Sequence, residues 1–355
     1  MIGALKLTVY FGERDRARGA FLADRILGIC EAGGIATSVL LRGAEGFGIK
    51  HHRRTDRLLT LSEDLPLIAI AIDGPQRIAD ALARVRRLDF DGLVTVERAR
   101  VGSAGDLAVE AGADDAVKLT LLVGRGELAD GRPAYEAAME TLRESRVDGG
   151  AAFVGVDGTL AGERRRARFF ARNAGTPAML VSVGSAESFG RARAGLASIS
   201  AGAAAVVERV RILKRDGRWL GELPRVEPED AAGLGRWIKL MLHSAEQNHF
   251  AGRPVHIEAV HRLRRENARG ATAIRGIWGY HGDHAPHGDT IRSLRRRVPT
   301  LTVAVDTPEA SARWLEILDE ITPERGLITC EVVPAYQATF EGSCYGGLSL
   351  SAPWG

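Results

Sequence analysis

The residue types best suited to binding chemistry are concentrated in a segment rich in glycine and in cationic side chains. It contains Gly43, Gly46, Gly48, Lys50, His51, His52, Arg53, Arg54 and Arg57. Arginine guanidinium groups bind phosphate or carboxylate through paired N–H donors, and glycines let backbone N–H groups come close to such an anion. The segment therefore predicts contact with an anionic ligand or a nucleotide, and a solvated charged loop is the alternative.

Arginines recur in two later parts of the chain at nearly corresponding positions. They are Arg164, Arg165, Arg166 and Arg168, followed by Arg292, Arg295, Arg296 and Arg297. This recurrence favours a binding role, because much of the surrounding sequence differs between the three parts.

A second polar cluster follows the first predicted strand and consists of Gly12, Glu13, Arg14, Asp15 and Arg16. It lies at the C-terminal end of that strand, where a cleft is expected. The alternative is a polar helix start that Asp15 caps. Only Gly124, Glu127 and Glu246 correspond to it later in the chain, so the clefts are predicted not to be equivalent.

Histidines and aspartates are dense in one later segment, within nine residues: His281, Asp283, His284, His287 and Asp289. Imidazole and carboxylate groups are ligands for zinc and other transition metals. The segment is predicted to lie in a loop, so an exposed polar loop is the alternative to a metal site.

Motifs of familiar enzyme classes are missing from the sequence. It contains no Walker A pattern, no G-x-S-x-G elbow and no H-E-x-x-H. We therefore expect no catalytic residues, no organic cofactor and a non-enzymatic role. An enzyme on a ferredoxin-like barrel is the less favoured reading.

The elements that must position these residues belong to a sequence pattern that occurs three times along the chain. Lys6, Lys118 and Lys239 begin three copies of one pattern, and Gly43, Gly155 and Gly276 each follow 37 residues later. Pro66, Pro177 and Pro299 come 60, 59 and 60 residues after the lysines, and Glu97, Glu208 and Glu331 come 91, 90 and 92 residues after them. Such a period is too long for a solenoid unit and predicts one small domain in triplicate.

One copy can be read as a series of elements. Alternating apolar residues predict strands at 5–11, 35–43, 67–72 and 92–101, and helical periodicity predicts helices at 18–32 and 76–88. Residues 43–60 show no clear period and are predicted to form a long mobile loop. The order β-α-β-β-α-β is the ferredoxin-like arrangement, in the α+β class.

The third strands indicate how the copies associate. One side of each is bulky, as in Ile68 and Ile72, whereas the other side holds small and uncharged residues such as Ala69 and Ala71. An exposed sheet face would alternate with charged residues. We therefore predict that the small-residue face is covered by the sheet of another copy, around a pseudo-threefold axis. A string of separate domains is the alternative.

Linker composition sets the domain boundaries. We predict domains at 1–101, 116–215 and 236–337, followed by a glycine- and aromatic-rich tail at 338–355. The tail is either unstructured or docked on the body through its aromatic residues.

Composition indicates the cellular setting. The chain is 45% hydrophobic and 26% charged, with a net charge of +3 over 355 residues, which argues against a general nucleic-acid binder. The best apolar run, at 65–72, is too short to cross a bilayer, and the start is unlike a signal peptide. Three cysteines without metal-type spacing suit a reducing compartment. We expect a cytoplasmic protein that binds no nucleic acid and is not embedded in a membrane.

Three stretches make the first copy resemble a known family. They are YFGERDRARG, LLRGAEGFGIKHHRRTDRLLTLSEDLPLIAIAID and IADALARVRRLDFDGLVTVERARV. They resemble the DUF190 family of PII-like proteins over residues 4–101, most specifically from Arg42 to Gly48 and in the SEDLP that follows. The later copies keep the Gly-Arg-Pro turns that begin at Gly131 and Gly252.

The resemblance implies a ferredoxin-like fold and a trimer of the kind that PII signalling proteins form. Those trimers bind small ligands in clefts between subunits, and a long loop after the second strand contacts partner proteins. Some family members are thought to be linked with fluoride channels, which suggests a membrane channel or transporter as partner. PII proteins that bind ATP use a glycine- and lysine-rich loop before the last strand, and RRLDFDG at 86–92 departs from that pattern.

The sequence thus predicts a PII-like sensor or regulator that binds a small anionic ligand, with nucleotides among the candidates. The predicted ligand-binding residues are Gly12, Glu13, Arg16, Arg42, Gly43, Gly46, Phe47, Gly48, Lys50, Arg53 and Arg54. A metal-responsive protein that uses His281, Asp283, His284, His287 and Asp289 is the alternative.

Overall fold

The computed structural model describes residues 1–48, 54–55, 64–107, 116–167, 175–200, 202–226, 236–281, 287–288 and 298–348, with only the backbone described at 54–55, 281 and 287–288. Each of the three copies contains four main strands and two helices in the predicted order. The first comprises β1 (Ile2–Gly12), α1 (Leu22–Ala32), β2 (Thr37–Arg42), β3 (Pro66–Asp73), α2 (Pro75–Val85) and β4 (Gly92–Ser103).

The second and third copies repeat this order. The second comprises β5 (Ala116–Gly124), α3 (Ala134–Glu144), β6 (Gly149–Leu160), β7 (Pro177–Gly184), α4 (Ala186–Ile199) and β8 (Ala204–Arg215). The third comprises β9 (Trp237–Ala245), α5 (Val255–Arg265), β10 (Ala271–Arg275), β11 (Pro299–Asp306), α6 (Pro308–Ile321) and β12 (Leu327–Val333). A terminal hairpin, β13 (Ala335–Phe340) and β14 (Ser343–Gly347), follows the third copy.

Local sequence explains where these elements begin and turn. Pro75 opens α2, where its missing N–H and fixed φ are tolerated. Thr307 caps α6 by accepting a hydrogen bond from the Ala310 N–H at 3.3 Å. A two-residue hairpin precedes the first helix of each copy and places X-Gly in left-handed backbone, as Arg18 and Gly19 show with φ of 49° and 79°.

Within each copy the sheet has the strand order of a ferredoxin-like fold. In the first copy β1 lies between β3 and β4, and β2 pairs with the other edge of β3, all antiparallel. The second and third copies repeat these pairings.

Strand pairing also joins each copy to both of the others. The end of β4 pairs with β8 at Ala204–Val207, the end of β8 pairs with β12, and β13 pairs with the beginning of β4 at Gly92–Val96. The segments after the second strands form another cycle: Glu45–Phe47 pairs with β10, Trp278–His281 pairs with β6, and the end of β6 pairs with β2. The pairings therefore close two circuits through all three copies.

Each sheet has a core on both faces. On one face, a repeat packs against its own helices, as Ala69 and Ala71 do with Leu22, Ile26 and Ile78. On the other face, side chains from all three copies form one shared core, which includes Ile68, Ile72, Met179, Val181, Leu301 and Val303. Both faces are covered, as the uncharged third strands predicted.

The assignment of the two faces was wrong. The small residues Ala69, Ala71 and Ala304 lie under the helices of their own copies, whereas the bulky residues face the other copies. The physical reason is that the shared core lies between several sheets and needs large side chains to fill it. Small residues instead allow a helix to lie close to its own sheet.

The predicted loop and tail contain ordered elements. Glu45–Phe47 is a strand, and its partner Arg54–Thr55 pairs back to it, so part of 43–60 is a hairpin rather than a mobile loop. The tail docks on the body as far as Leu348, which is buried against the first copy. Residues 49–53, 56–63 and 349–355 lie outside the described structure.

Candidate functional site

A cleft with a cavity volume of about 80 Å³ lies at the boundary between the first and third copies. The first copy lines it with Tyr10, Phe11, Asp15, Phe47, Gly48, Pro66, Asp91, Gly92 and Leu93. The third copy and the terminal hairpin contribute Arg269, Gly270, Ala271, Thr272, Val303, Val305, Thr339 and Phe340. Mostly apolar walls with a few polar groups are typical of a small-molecule site.

The turn after β1 brings Asp15 to the cleft. The Asp15 carboxylate accepts a hydrogen bond from the Gly12 N–H at 2.6 Å, and the Asp15 carbonyl accepts one from the Leu22 N–H at 2.8 Å. The side chain therefore stabilises the turn rather than capping the helix through its carboxylate. Glu127 makes the corresponding contact in the second copy, where it accepts from the Gly124 N–H at 3.1 Å.

Phe47 and Gly48 form the wall of the cleft that directly precedes the cationic segment in the sequence. Phe47 ends the short strand paired with Ala271–Ala273, and its buried side chain packs in the core of the third copy. Gly48 is open, since a Cβ added there would meet nothing within 4 Å. The first copy thus reaches into the third directly before the cationic segment begins.

Arg269 is the basic residue that the third copy places in the cleft. Its guanidinium forms an ion pair with the buried Asp306, which also accepts from Trp314 Nε1 at 3.1 Å. The same guanidinium lies over the Tyr345 ring, 5.4 Å from the centroid. Arg269 therefore connects the cleft, the third core and the terminal hairpin.

The terminal hairpin supplies the remaining wall. β13 pairs with β4 from Gly92 to Val96, which places Thr339 and Phe340 at the cleft. At the turn, the Glu341 N–H donates to Asp91 Oδ1 at 2.9 Å. No residue of this hairpin was predicted to belong to a site, because its aromatic content indicated only docking on the body.

The predicted ligand-binding residues divide into three groups. Phe47 and Gly48 line the cleft, whereas its lining does not include Gly12, Glu13, Arg16, Arg42, Gly43 or Gly46. Glu13 and Arg42 form an ion pair at 2.8 Å, and Arg16 lies over Phe21, 4.5 Å from the ring centroid. Lys50 and Arg53 are outside the described residues, and only the backbone of Arg54 is described, opposite Gly46.

The glycines before the loop have a structural role at the crossing between copies. A Cβ on Gly43 would lie 2.6 Å from Pro66 Cγ, and one on Gly46 would lie 2.9 Å from the Ala271 carbonyl. The Gly43 N–H already donates to the Pro66 carbonyl at 2.7 Å. The constant spacing from lysine to glycine and the nearly constant spacing from lysine to proline thus reflect close backbone approach.

Arginines of the second copy are held by carboxylates. Arg164 donates to Asp157 at 2.7 Å and to Glu31 on α1 at 3.2 Å, and Arg166 lies 3.0 Å from Asp24. Hydrogen bonds to Asp157 hold the pKa of Arg164 above its ordinary value. These side chains join the second copy to the first instead of forming an open anion site.

The metal hypothesis at the histidine-rich segment falls mainly outside the described structure. Asp283, His284 and Asp289 are not described, and only the backbone of His281 and His287 is. That backbone forms a short hairpin in which His287 pairs with Gly279. The metal site therefore stays a prediction.

A ring of six buried charges joins the three copies at the shared core. Lys6 lies 2.7 Å from Glu97 and also contacts Glu208; Lys118 lies 3.1 Å from Glu208 and also contacts Glu331. Lys239 lies 2.6 Å from Glu331 and closes the ring on Glu97. Each copy contributes one lysine and one glutamate, and every lysine touches its own copy's glutamate and one from another copy.

Burial and charge compete in this ring. Burial alone would raise the pKa of Glu97, but Lys239, Lys6 and Lys118 together hold it well below its ordinary range. Attraction to the glutamates raises the pKa of Lys6 and of Lys239 against the effect of burial. At Lys118 burial is the larger effect and lowers the pKa.

The ring glutamates also form a group whose oxygens lie within 4.8 Å of one another, as a metal site requires. Their charges are already balanced by three ammonium groups in direct contact. A cation would have to displace these lysines, so the donor set fits a structural ion-pair network better than a metal. The similar spacing of Lys and Glu in the three copies is visible in the sequence, but the ring is not.

Tyr10 lies between the cleft and the ring. It lines the cleft and shares a face of β1 with Lys6, and burial raises the pKa of its phenol, which also senses the charges of Lys239 and Glu97. The same position relative to the lysine is Leu122 in the second copy and His243 in the third. The three boundaries between copies are therefore chemically different.

Comparison with known proteins supports the repeat structure. The model of the family DUF190, described as "Uncharacterized ACR", matches residues 4–101, 116–212 and 237–335. A solved structure titled "Crystal Structure of Aspartate Kinase from Synechocystis" is similar over 96% of this chain and 45% of that chain, at 11% identity and a TM-score of 0.23. The chain spans less than half of that structure's length, and a likeness this low bears on neither fold nor function. Among the described residues, no helix is both long and apolar enough to cross a membrane.

Proposed function

Because the chain belongs to the DUF190 family, here in three tandem copies, we propose that it is a non-enzymatic PII-like regulatory protein. Its cleft between the first and third copies binds a small anionic ligand, with nucleotides among the candidates. The loop after β2 carries the signal to a protein partner, such as a membrane channel or transporter, in the cytoplasm.

The observation that carries this proposal is that the two residues directly before the cationic segment in the sequence line the cleft. Phe47 and Gly48 line it, and the segment that contains Arg53 and Arg54 follows them in the sequence. Lys50 follows Gly48 by two residues, a separation of about 7 Å at most. A ligand with an apolar part in the cleft can therefore present an anionic group to the cations of the loop.

We also propose that the three copies form an intramolecular pseudo-trimer. Two closed circuits of strand pairing and a closed ring of alternating Lys and Glu support this arrangement. In a protein of this kind, clefts lie where the copies meet.

The polar groups of the cleft suit binding more than catalysis. Asp15 and Asp91 accept hydrogen bonds from backbone N–H groups, and Arg269 is paired with Asp306. Such groups orient a ligand by hydrogen bonding and charge, and their own partners hold them in place.

A ligand screen with a cleft-filling variant tests the proposal. Nucleotides, inorganic phosphate and carboxylate metabolites would be screened by thermal shift, and each ligand that stabilises the protein would be measured by calorimetry. Gly48→Trp should abolish binding by filling the cleft, whereas Gly3→Trp, at another glycine whose Cβ meets nothing within 4 Å, should bind normally. Equal affinity in both variants would place the ligand elsewhere.

A metal-responsive function is the second candidate. The backbone pairing of Trp278–Gly279 with His287–Gly288 places His281 and His287 in one hairpin. Asp283 and His284 lie between them in the sequence, so four candidate zinc ligands fall within seven residues.

A further inference from the structure

One wall of the cleft lies beyond the family match. The match to the third copy ends at residue 335, and the terminal hairpin runs from Ala335 to Gly347. Thr339 and Phe340 of this hairpin line the cleft. The shape of the cleft is therefore set partly by a segment that the family pattern does not include.

The inner strand of the hairpin is anchored. Ala335, Tyr336 and Ala338 are fully buried, and the Tyr336 ring stacks on Trp237 with centroids 4.1 Å apart. β13 also continues the sheet of the first copy through its ladder with β4. This half of the hairpin cannot leave without opening the shared core.

The outer strand is held differently. All five residues of β14 are exposed, and it pairs with β13 from Ser343 to Gly347. Two contacts fasten the outer half to cleft residues: the Glu341 N–H donates to Asp91, and the Tyr345 ring lies against Arg269. The outer half is also held by its ladder with β13, by the close approach of Gly346 to Tyr336, and by the buried Leu348 that follows it. Its side chains are nevertheless exposed and its contacts with Asp91 and Arg269 are weak, so it can open as a flap between the anchored Ala338 and Leu348.

We propose that the outer half of the hairpin, from Phe340 to Gly347, is a gate of the cleft that ligand binding releases; this rests on the cleft being the ligand site. The two residues that hold the gate, Asp91 and Arg269, come from the first and third copies and both face the cleft. An anionic group that engages the Arg269 guanidinium competes with the Tyr345 ring for the same cation. A ligand bound in the cleft thereby releases the exposed outer strand.

Thiol labelling tests the gate without any ligand. In a Cys344→Ser background, Thr272→Cys places a thiol on a cleft residue that is 6% exposed. Cys30 and Cys330 are buried and report on general loosening of the fold. Tyr345→Ala should raise the labelling rate at position 272 about two- to fivefold, as loss of an exposed cation–π contact implies.

A matched control is available in another hairpin. Trp219 is also an exposed aromatic residue near a cation, with Lys214 at 5.9 Å from its ring centroid. Trp219→Ala should leave the labelling rate at position 272 unchanged. The gate is overturned if Tyr345→Ala has no effect, or if Cys30 and Cys330 accelerate to the same extent.

A second experiment distinguishes failure of the gate from failure of the proposed function. Saturating ATP or inorganic phosphate, whichever stabilises the wild type, should change labelling at position 272 and increase amide exchange in residues 343–347. If Tyr345→Ala accelerates labelling but no anion affects the protein, the gate stands and the anionic ligand is overturned. If an anion binds and Gly48→Trp blocks it while residues 343–347 stay protected, the proposed function stands and release by ligand is overturned.

Discussion

Lys239 of the third copy donates to Glu97 of the first, although 142 residues separate them in the chain. With the other two lysines and glutamates, this contact closes a ring in which each copy touches both of the others. Removing a charge from water is expensive, so a buried ring is stable only while its charges remain matched. The ring therefore favours the one cyclic arrangement that pairs every charge.

Removing one charge from the ring should be strongly destabilising. Lys118→Met leaves Glu208 and Glu331 short of a partner, and we expect a loss of about 3–5 kcal/mol in the free energy of unfolding. Lys118→Met with Glu208→Leu keeps the ring neutral and should lose less than the sum of the two single variants. Urea unfolding would measure the free energy of unfolding of the wild type, the two single variants and the double variant.

The control for this experiment is an exposed ion pair. Arg132 lies 3.4 Å from Glu140 with half of its side chain exposed, so Arg132→Met should cost at most about 0.5 kcal/mol. Additive losses in the double variant would show that the ring members act independently.

Acid should destabilise the protein partly through Glu97. Its folded pKa lies well below the ordinary value of 4.5, so the unfolded state takes up the proton first as the pH falls. The stabilisation is complete above pH 4.5 and is lost as the pH drops towards the folded pKa. Glu97→Gln, though less stable at neutral pH, should lose less stability than wild type between pH 5 and pH 3, in urea unfolding at each pH. If the free energies of unfolding of wild type and Glu97→Gln fall in parallel as the pH drops, other carboxylates cause the acid sensitivity.

The whole chain should be compact in solution. A single body of 355 residues has a radius of gyration of about 20 Å, which small-angle scattering can measure. A low oligomer would be built from such bodies. An excised first copy, residues 1–101, should trimerise or aggregate, because Ile68, Ile72 and its other shared-core residues would lose their partners. Scattering from three separate beads would contradict the pseudo-trimer.

The cations of the loop should contribute to ligand binding and little to stability. Arg53→Ala with Arg54→Ala should weaken binding of a phosphate-bearing ligand while lowering the melting temperature by about 1–2 °C at most. Arg164→Ala is the contrast, since it breaks contacts with Asp157 and Glu31 and should lower the melting temperature without affecting the ligand. Calorimetry and thermal unfolding give the two readouts. Unchanged affinity in the loop variant would remove the loop from the site.

The histidine-rich hairpin makes a separate prediction about zinc. If it is a metal site, calorimetric zinc binding should weaken as the pH falls through about 6.5, because protonated imidazole cannot ligate. The triple variant His281→Ala, His284→Ala and His287→Ala should then bind no zinc. Equal heats of zinc binding in wild type and variant would show that the segment is an ordinary polar loop.

The repeated spacing of residues was enough to predict much of the fold. The intervals from lysine to Gly43, Gly155 or Gly276 and to the matching prolines predicted three equal domains, and these residues meet where the copies cross. Helix and strand positions followed from local periodicity. The face assignment failed because both faces of the sheet are buried, and alternation between Ile68 and Ala69 shows that the two differ without showing which one meets a helix.

Less of the candidate site than of the fold could be predicted from the sequence. Phe47 and Gly48, which line the cleft, were predicted as ligand contacts because they precede a cationic segment, whereas Arg269 and Phe340 come from distant segments with no local signature. The charge ring shows the same limit. Similar spacing marks Lys6 and Glu97 as equivalent to residues in the other copies, but their burial and contacts depend on how three sheets assemble.

Covalent linkage of the three copies has a consequence for stoichiometry. A trimer of identical subunits must carry every substitution at all three boundaries, whereas one chain can place Tyr10, Leu122 and His243 at the same position of successive copies. Linkage also makes association of the copies independent of protein concentration. If the cleft beside Tyr10 is the ligand site, we therefore expect one ligand per chain and a graded response in place of cooperativity among three equal sites.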